Sequence, residues 1–298
     1  MKAALLGKEL SHTISPILHR ELFKILGSKF AIENSDLLYD LLECPEECDF
    51  AQWIKTAPTN GYEGANVTYP YKAKAFELSD RHIGVSSNID SANCLRFLED
   101  EIECASTDGI GFLRSLIRNH PNFDLGWYHL VLIGAGNAAR AIVYALCTKW
   151  MPQSLTIVNR SLAQAEELAE FCIAQSPGPT VRFMSINDFI YAPSEPRHRL
   201  VIQCTPIGQP NHPGNLLTGF EWHETDFAID LIYNPVRTAF LENALHAGAK
   251  TMNGLGMLIE QAAISQVFWL TRLLPDASPL EQSEYESLEH FLTQSLVP

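Results

Sequence analysis

Short runs of consecutive apolar residues alternate along this chain with longer segments whose apolar positions recur every three or four residues. That is the pattern of buried strands set between amphipathic helices. AALLG (3–7) reads as a strand, KELSHTIS as a polar loop, and PILHRELFKILG (16–27) as a helix with Pro16 in its first turn and Gly27 at its stop. KFAIEN (29–34) follows as a second strand, PEECDFAQWIKTA as a helix, GANVT (64–68) as a third strand, and PYKAKAFEL as a helix opened by Pro70. This alternation predicts a small parallel or mixed sheet with helices on its faces. SANCLRFLEDEIECAS reads as strand segments around an acidic turn, and TDGIGFLRSLIRNH as a connecting helix.

Beyond it the strands become nearly pure Val, Ile and Leu, as a parallel sheet buried on both faces requires. HLVLI, SLTIVNRS, TVRFMSI, RLVIQCTP and FAIDLIYNP supply the strands, and 108–253 is expected to form a doubly wound domain. The apolar helix GMLIEQAAISQVFWLTRLL then packs back onto the first domain, so 254–298 belongs with 1–107. The fold class is α/β throughout. Only DASPLEQSEYESLEHFLTQSLVP reads as a peripheral acidic tail.

The glycine turn in GAGNAARA narrows the chemistry. Gly134, Gly136 and Ala139 stand at the GxGxxG/A spacing between a strand and a helix. The first glycine permits the sharp turn, the second lets a pyrophosphate approach the backbone, and the small third residue lets helix and strand close up. Dinucleotide binding follows, with Gly134, Ala135, Gly136, Asn137 and Ala138 as the cradle. At the end of the next strand Asn159, Arg160 and Ser161 stand where an acidic residue would select NAD, so a 2′-phosphate, and hence NADP, fits better.

In the first half, Ser11, Thr13 and Ser15 converge before a helix start that favours a carboxylate, although Ser15 alone could be a plain N-cap. Lys72 sits in a first helical turn, where the macrodipole disfavours a cation; its bland alternative is a solvated lysine like Lys74. Asp108 stands at the entry to the connecting helix, where its bland role is an N-cap. Were Lys72 and Asp108 to meet, they would form a proton-transferring amine oriented by a carboxylate.

Taken in order, SHTISP, NVTYPYK, SANCL, STDGIGF, GAGNAARA with VNRS, CTPIG, DLIYNP and GMLIEQA resemble the shikimate dehydrogenase family over nearly the whole chain. The resemblance implies an N-terminal substrate domain, completed by C-terminal helices, facing a Rossmann-like dinucleotide domain across a deep cleft. It implies Lys72 and Asp108 as the catalytic pair, and Asn93 and Gln261 on ring hydroxyls. Thr13, Ser15 and Tyr233 would hold the substrate carboxylate, Thr68 would contact the ring, and Thr205 and Gly254 would join the cofactor site. The reaction implied is reversible reduction of 3-dehydroshikimate to shikimate with NADP. The family pattern is departed from at Thr13, Cys94, Ser106, Asn137 and Gln209, which bears on the substrate more than on the reaction, and at Gln164, a position often basic in NADP-using members, which bears on the cofactor. A quinate or broad-specificity paralogue is the alternative enzyme, and a nucleotide-sensing regulator without catalysis the alternative of another class.

Charge and cysteine content exclude other classes. Thirty-five acidic against 21 basic residues give a formal net charge of -14, which repels nucleic acids and anionic membranes. No apolar run approaches the roughly 18–20 residues that span a bilayer. MKAALLGKELSHT lacks a secretory core, so the mature chain is expected to begin at Met1. Seven cysteines, odd in number and scattered, fit reduced thiols in a cytoplasm, and the ten histidines show no ligand spacing for a metal. A monomer or homodimer acting on a small ring acid is expected.

Overall fold

The computed structural model describes residues 1–11, 13–32, 37–175, 178–192 and 198–296. The chain divides into two compact units, Met1–Gly111 with Leu258–Pro298, and Phe112–Met257. Among the described residues no helix is long and apolar enough to cross a membrane.

The first unit begins with β1 (Lys2–Gly7), α1 (Ser15–Lys29), β2 (Leu38–Glu43), α2 (Glu47–Thr56), β3 (Gly64–Val67) and α3 (Lys72–Glu77). It continues through β4 (Arg81–Ile83), α4 (Ser86–Ile89), the hairpin β5 (Cys94–Phe97) and β6 (Ile102–Ala105), and α5 (Asp108–Asn119), which runs on into the second unit. The six strands form one mixed sheet in the order β2-β1-β3-β5-β6-β4, with β5 antiparallel to both its neighbours. The hairpin brings the residues that flank it, Asn93 and Ser106, to the same end of the sheet as the end of β3.

Three local expectations need correction. The segment KFAIEN is not a strand. Lys29 ends α1, and the N–H groups of Phe30 and Ile32 bond back to the carbonyls of Leu26 and Gly27, closing the helix with Ala31 at φ 52°. Glu33 and Asn34 lie outside the described residues. Gly27 therefore lies inside the helix rather than at its stop. The true second strand, LYDLLE, carries no clear burial signal because it is a sheet edge: Leu38 and Leu41 are exposed and Tyr39 is its one fully buried residue. Pro70 follows a cis peptide bond in the turn before α3, which starts at Lys72.

The second unit is a six-stranded parallel sheet, built from β7 (His129–Ile133), α6 (Asn137–Lys149), β8 (Ser154–Val158), α7 (Leu162–Gln175), β9 (Thr180–Met184), α8 (Ile186–Tyr191), β10 (Arg199–Gln203), β11 (Phe227–Asp230), α9 (Ala239–His246) and β12 (Lys250–Met252). The strand order is β12-β11-β10-β7-β8-β9, so the chain reverses direction of travel at β7, where the glycine turn lies. Side chains alternate between two cores. Leu130, Leu132, Leu155, Ile157, Leu200 and Ile202 face one, and Val131, Ile133, Val158 and Val201 the other. Burial on both faces explains why polar positions are scarce in these strands.

α10 (Leu255–Thr271) and α11 (Gln282–Leu296) complete the chain. Phe268 and Trp269 of α10 enter the core formed by Ala3, Leu5, Phe23 and Tyr39. Trp269 donates through Nε1 to the Leu95 carbonyl at 2.9 Å, and a Cβ at Gly64 would stand 2.5 Å from that nitrogen, so only glycine lets β3 pass the indole. The supposed tail is instead largely helix: Tyr285, Leu288 and Leu292 of α11 are buried, and Lys29 pairs with Glu284.

His19, fully buried in α1, stacks on Tyr39 with ring centroids 4.2 Å apart and receives the Gln266 side-chain amide at 3.1 Å. Burial pushes its pKa from 6.5 down to about 3, against the opposing influence of Asn66, so the ring is neutral. The unfolded chain takes up a proton at 6.5 that the folded chain refuses, so this group's share of stability is complete above pH 6.5 and is lost as pH falls toward 3. We expect on the order of 2–3 kcal/mol less stability at about pH 4.5 than at pH 7 from this group. The urea midpoint of a His19→Gln variant should fall less than the wild type's across that interval, and equal falls would remove His19 as the cause.

Candidate active site

Lys72 is the first residue of α3 and Asp108 the first of α5, and the two meet: Nζ donates to Oδ2 at 2.6 Å. The side chains are only 15% and 9% exposed, too sheltered for an ordinary solvated pair. The contrast with Lys74 is direct. Its amine reaches Glu47 and Glu77 at the surface, and hydrogen bonds to those two carboxylates raise its pKa. Asp108 is no N-cap; both its carboxylate oxygens are engaged, Oδ1 accepting from Asn93 Nδ2 at 2.9 Å.

The Asn93 amide is oriented without ambiguity. Its Oδ1 accepts from the Thr107 backbone N–H at 2.7 Å, so Nδ2 must point the other way. That nitrogen has two protons and three acceptors within reach: Thr107 Oγ1 and Asp108 Oδ1, both at 2.9 Å, and Gln261 Oε1 at 3.3 Å. Gln261, on α10, holds the weakest claim. Its own Nε2 donates to the Leu258 carbonyl at 2.9 Å, and its oxygen is the one most easily released to another donor. Sequence reasoning selects Lys72, Asp108, Asn93 and Gln261, and the fold of the first unit brings all four together. It passes over Thr107, Asn66 and Ser265, which bind to one another and to this group, although the first two lie inside segments it marks.

Elsewhere in this unit, Thr13 Oγ1 donates to Ser15 Oγ at 2.9 Å and accepts from the Ser15 backbone N–H at 3.2 Å. The N-cap of α1 is Ile14, without a side-chain cap bond, so Ser15 is not the cap. Ser11 is exposed in the preceding turn, and His12 of the SHTISP segment lies outside the described residues. Thr68 continues from β3, its N–H bonding the Leu6 carbonyl at 2.8 Å. Cys94 is fully buried with its thiol pushed up to about 12 by desolvation, a packed and unreactive group. Tyr233 belongs to the second unit, in the loop after β11.

The second unit carries the glycine turn. Gly134 has φ 103°, and a Cβ there would stand 2.9 Å from the Thr205 methyl, so this position needs glycine on both counts. Gly136, the N-cap of α6, faces open space where a Cβ would meet nothing within 4 Å, and no side chain caps the helix. The first-turn N–H groups of α6, from Asn137 and Ala138 on, are thus left for an anion. Thr205 is fixed by Gln203, whose Oε1 accepts from its N–H at 2.7 Å and its hydroxyl at 2.6 Å. Gln203 is a residue sequence reasoning does not select, since a buried glutamine in a strand has no spacing signature.

After β8, Asn159 Nδ2 donates to the Ser161 carbonyl at 3.1 Å and to Gln164 Oε1 at 3.2 Å, while Ser161 Oγ accepts from the Gln164 N–H at 3.4 Å. Arg160 is exposed and makes no ion pair among the described residues, leaving its guanidinium free for a phosphate. At Gly254 a Cβ would lie 1.9 Å from the Leu231 carbonyl oxygen, so the chain passes there only as glycine. Below that loop, burial pushes the Asp230 carboxyl up to about 6, against the hydrogen bonds from Thr238 and the Ile232 N–H. An open glycine turn, an uncapped helix start and an unpaired arginine fit a phosphorylated dinucleotide.

Comparison with known proteins bears on both units. Residues 5–95 match the family model described as shikimate dehydrogenase substrate binding domain, and residues 119–191 match that of shikimate / quinate 5-dehydrogenase. The shikimate dehydrogenase (NADP(+)) of Methanopyrus kandleri is 34% identical over 96% of this chain and 94% of its own. Among solved structures, a shikimate dehydrogenase in complex with NADP+ superposes with a TM-score of 0.81 at 26% identity, covering 100% of this chain and 96% of that one. The shikimate 5-dehydrogenase of Thermus thermophilus, solved with NADP(H) and shikimate, gives 0.75 at 26% identity over 98% of this chain and 99% of its own. With an amine–carboxylate pair in one unit, a dinucleotide turn in the other and kinship over nearly its full length, the chain belongs to the shikimate dehydrogenase family.

Proposed function

We propose that this protein catalyses the reversible NADP-dependent reduction of 3-dehydroshikimate to shikimate, a step toward chorismate and the aromatic amino acids. The first unit binds the ring acid and the second the cofactor. The observation that carries the reading is the sheltered Lys72–Asp108 pair at 2.6 Å, beside two amide side chains able to bind hydroxyls. NADPH, when bound, supplies the hydride to the carbonyl carbon. The Lys72 ammonium gives its proton to the carbonyl oxygen as that oxygen gains charge, and in the oxidative direction the neutral amine takes it back from the hydroxyl. Asp108 holds the amine in line.

Asn93 and Gln261 bind the ring hydroxyls, Thr68 contacts the ring, and Thr13, Ser15 and Tyr233 hold the carboxylate. Gly134, Ala135, Gly136, Asn137 and Ala138 cradle the pyrophosphate; Asn159, Arg160 and Ser161 take the 2′-phosphate, and Thr205 and Gly254 complete the cofactor's pocket. The neutral side chains of Asn159 and Ser161 support NADP, since neither repels a phosphate. The free thiols accord with a reducing compartment, and this reading places the enzyme in the cytoplasm.

Following NADPH absorbance with 3-dehydroshikimate, and the reverse reaction with shikimate and quinate on NADP and NAD, tests the assignment. The highest kcat/KM is expected for the shikimate–NADP pair; a constant favouring quinate or NAD would overturn the choice of substrate or cofactor. Lys72→Ala should lower kcat by about 10²–10⁴ while ring-acid binding, measured by calorimetry, persists. Undiminished turnover would refute its role. Arg160→Ala should raise KM for NADP at least about tenfold and leave KM for NAD within about twofold, the loss of one charge-assisted phosphate contact; equal rises would show that the arginine does not read the 2′-phosphate.

A further inference from the structure

Behind the Lys72–Asp108 pair lies a second tier of polar side chains that have no assigned part in the reaction. Asn66, in β3, is 5% exposed and spends its whole side chain on protein. Its Oδ1 accepts from the Tyr39 hydroxyl at 2.9 Å, and its Nδ2 donates to Ser265 Oγ at 3.0 Å and to the Asn93 backbone carbonyl at 3.3 Å. Ser265 Oγ in turn donates to the Gln261 carbonyl at 2.8 Å and lies 3.4 Å from Thr107 Oγ1. One amide therefore touches the backbone of Asn93 and, through a single hydroxyl, the backbone of Gln261 and the Thr107 side chain. Its far end is anchored by Tyr39, whose ring is stacked against His19.

A buried asparagine with both donors and its acceptor satisfied fixes the distance between the elements it joins, and losing it takes one hydrogen bond each from the Asn93 carbonyl, the Ser265 hydroxyl and the Tyr39 hydroxyl. Asn93 is held from two directions. Its side chain bonds Asp108 Oδ1, and its carbonyl accepts from the Val67 N–H at 2.9 Å as well as from Asn66. A shift of Asn93 therefore rotates the Asp108 carboxylate, and with it the lysine amine. Because proton transfer requires donor and acceptor aligned within a few tenths of an ångström, such a shift costs rate more than affinity.

We propose that Asn66, acting with Ser265, is a positioning residue for the reaction: it touches no substrate, and holds Asn93 and Gln261 so that Asp108 presents Lys72 to the reacting oxygen. This rests on the reading of Lys72 as the proton donor given above. Asn66→Ala and Ser265→Ala are compared with wild type in steady-state kinetics, with circular dichroism and thermal unfolding confirming the fold. Asn66→Ala should lower kcat about 10- to 100-fold with KM for the ring acid and for NADPH within about threefold, and Ser265→Ala about three- to tenfold with the same split. In the double variant kcat should fall no more than about twofold below Asn66→Ala, because the two act through one bond.

A kcat within about threefold of wild type in folded Asn66→Ala would overturn the proposal, as would a loss carried by KM. Should Asn66→Ala fail to fold, Ser265→Ala decides in its place, with unchanged kcat as the refuting result. If the wild type itself fails to reduce 3-dehydroshikimate, the substrate assignment falls by itself, and the variants are read on whichever ring acid the wild type turns over.

Discussion

A charged amine and a carboxylate held 2.6 Å apart, with less than a sixth of either side chain exposed, set the terms for the rest of the first unit. Such a pair gives up part of its hydration, and the attraction between the ions offsets that loss only where geometry is tight and the remaining lone pairs are filled. Asp108 meets the condition with Asn93 on its second oxygen. Asn93 meets its own through Thr107, and so outward to Asn66, Ser265 and Tyr39. The polar interior of an otherwise apolar sheet-and-helix core is the consequence of keeping one ion pair half out of water.

The topology delivers these residues economically. β3 ends just before the turn that launches α3 and Lys72; the antiparallel insertion of β5 between β3 and β6 puts Asn93 and Thr107 at neighbouring strand ends; α10 lays Gln261 and Ser265, one helical turn apart, across the same spot. Close approach is enforced by glycine. At Gly111 a Cβ would come within 2.8 Å of the Gln261 backbone nitrogen and Cβ, so α5 and α10 approach this closely there because the residue is glycine. Residues from four stretches of sequence converge because a mixed sheet, unlike the parallel one in the second unit, turns the chain back on itself within a few residues.

Much of the fold is legible in the sequence, and the failures share one cause. The buried strands β1, β3, β7, β8, β10 and β11 are short apolar runs between turn signals, and periodicity finds them. β2 gives no such signal because half its side chains face solvent at a sheet edge, and Phe30–Ile32 reads as a strand because a Phe-Ala-Ile run looks the same whether it ends a helix or begins a ladder. α11 reads as a tail because its acidic residues hide a narrow stripe of Tyr285, Leu288 and Leu292. In each case the signal that decides the structure is a tertiary partner, which a local window does not contain.

The two candidate sites are legible to different depths for a related reason. The dinucleotide turn is built from backbone, and backbone sites must be glycine where a Cβ would collide or φ is positive, as at Gly134 and Gly254; the constraint is written into the sequence at fixed spacing. The amine–carboxylate site is built from side chains supporting one another across long stretches of chain: 36 residues separate Lys72 from Asp108, and 199 separate Asn66 from Ser265. No periodicity connects such pairs. Motifs could point to Lys72 and Asp108 themselves, but the tier hydrogen-bonded behind them consists of ordinary asparagine, serine, threonine and tyrosine, each with a mundane reading wherever it stands. Only their hydrogen bonds, taken together, tie Asn66 through Asn93 to the Lys72–Asp108 pair, a link that its place in a sheet does not announce.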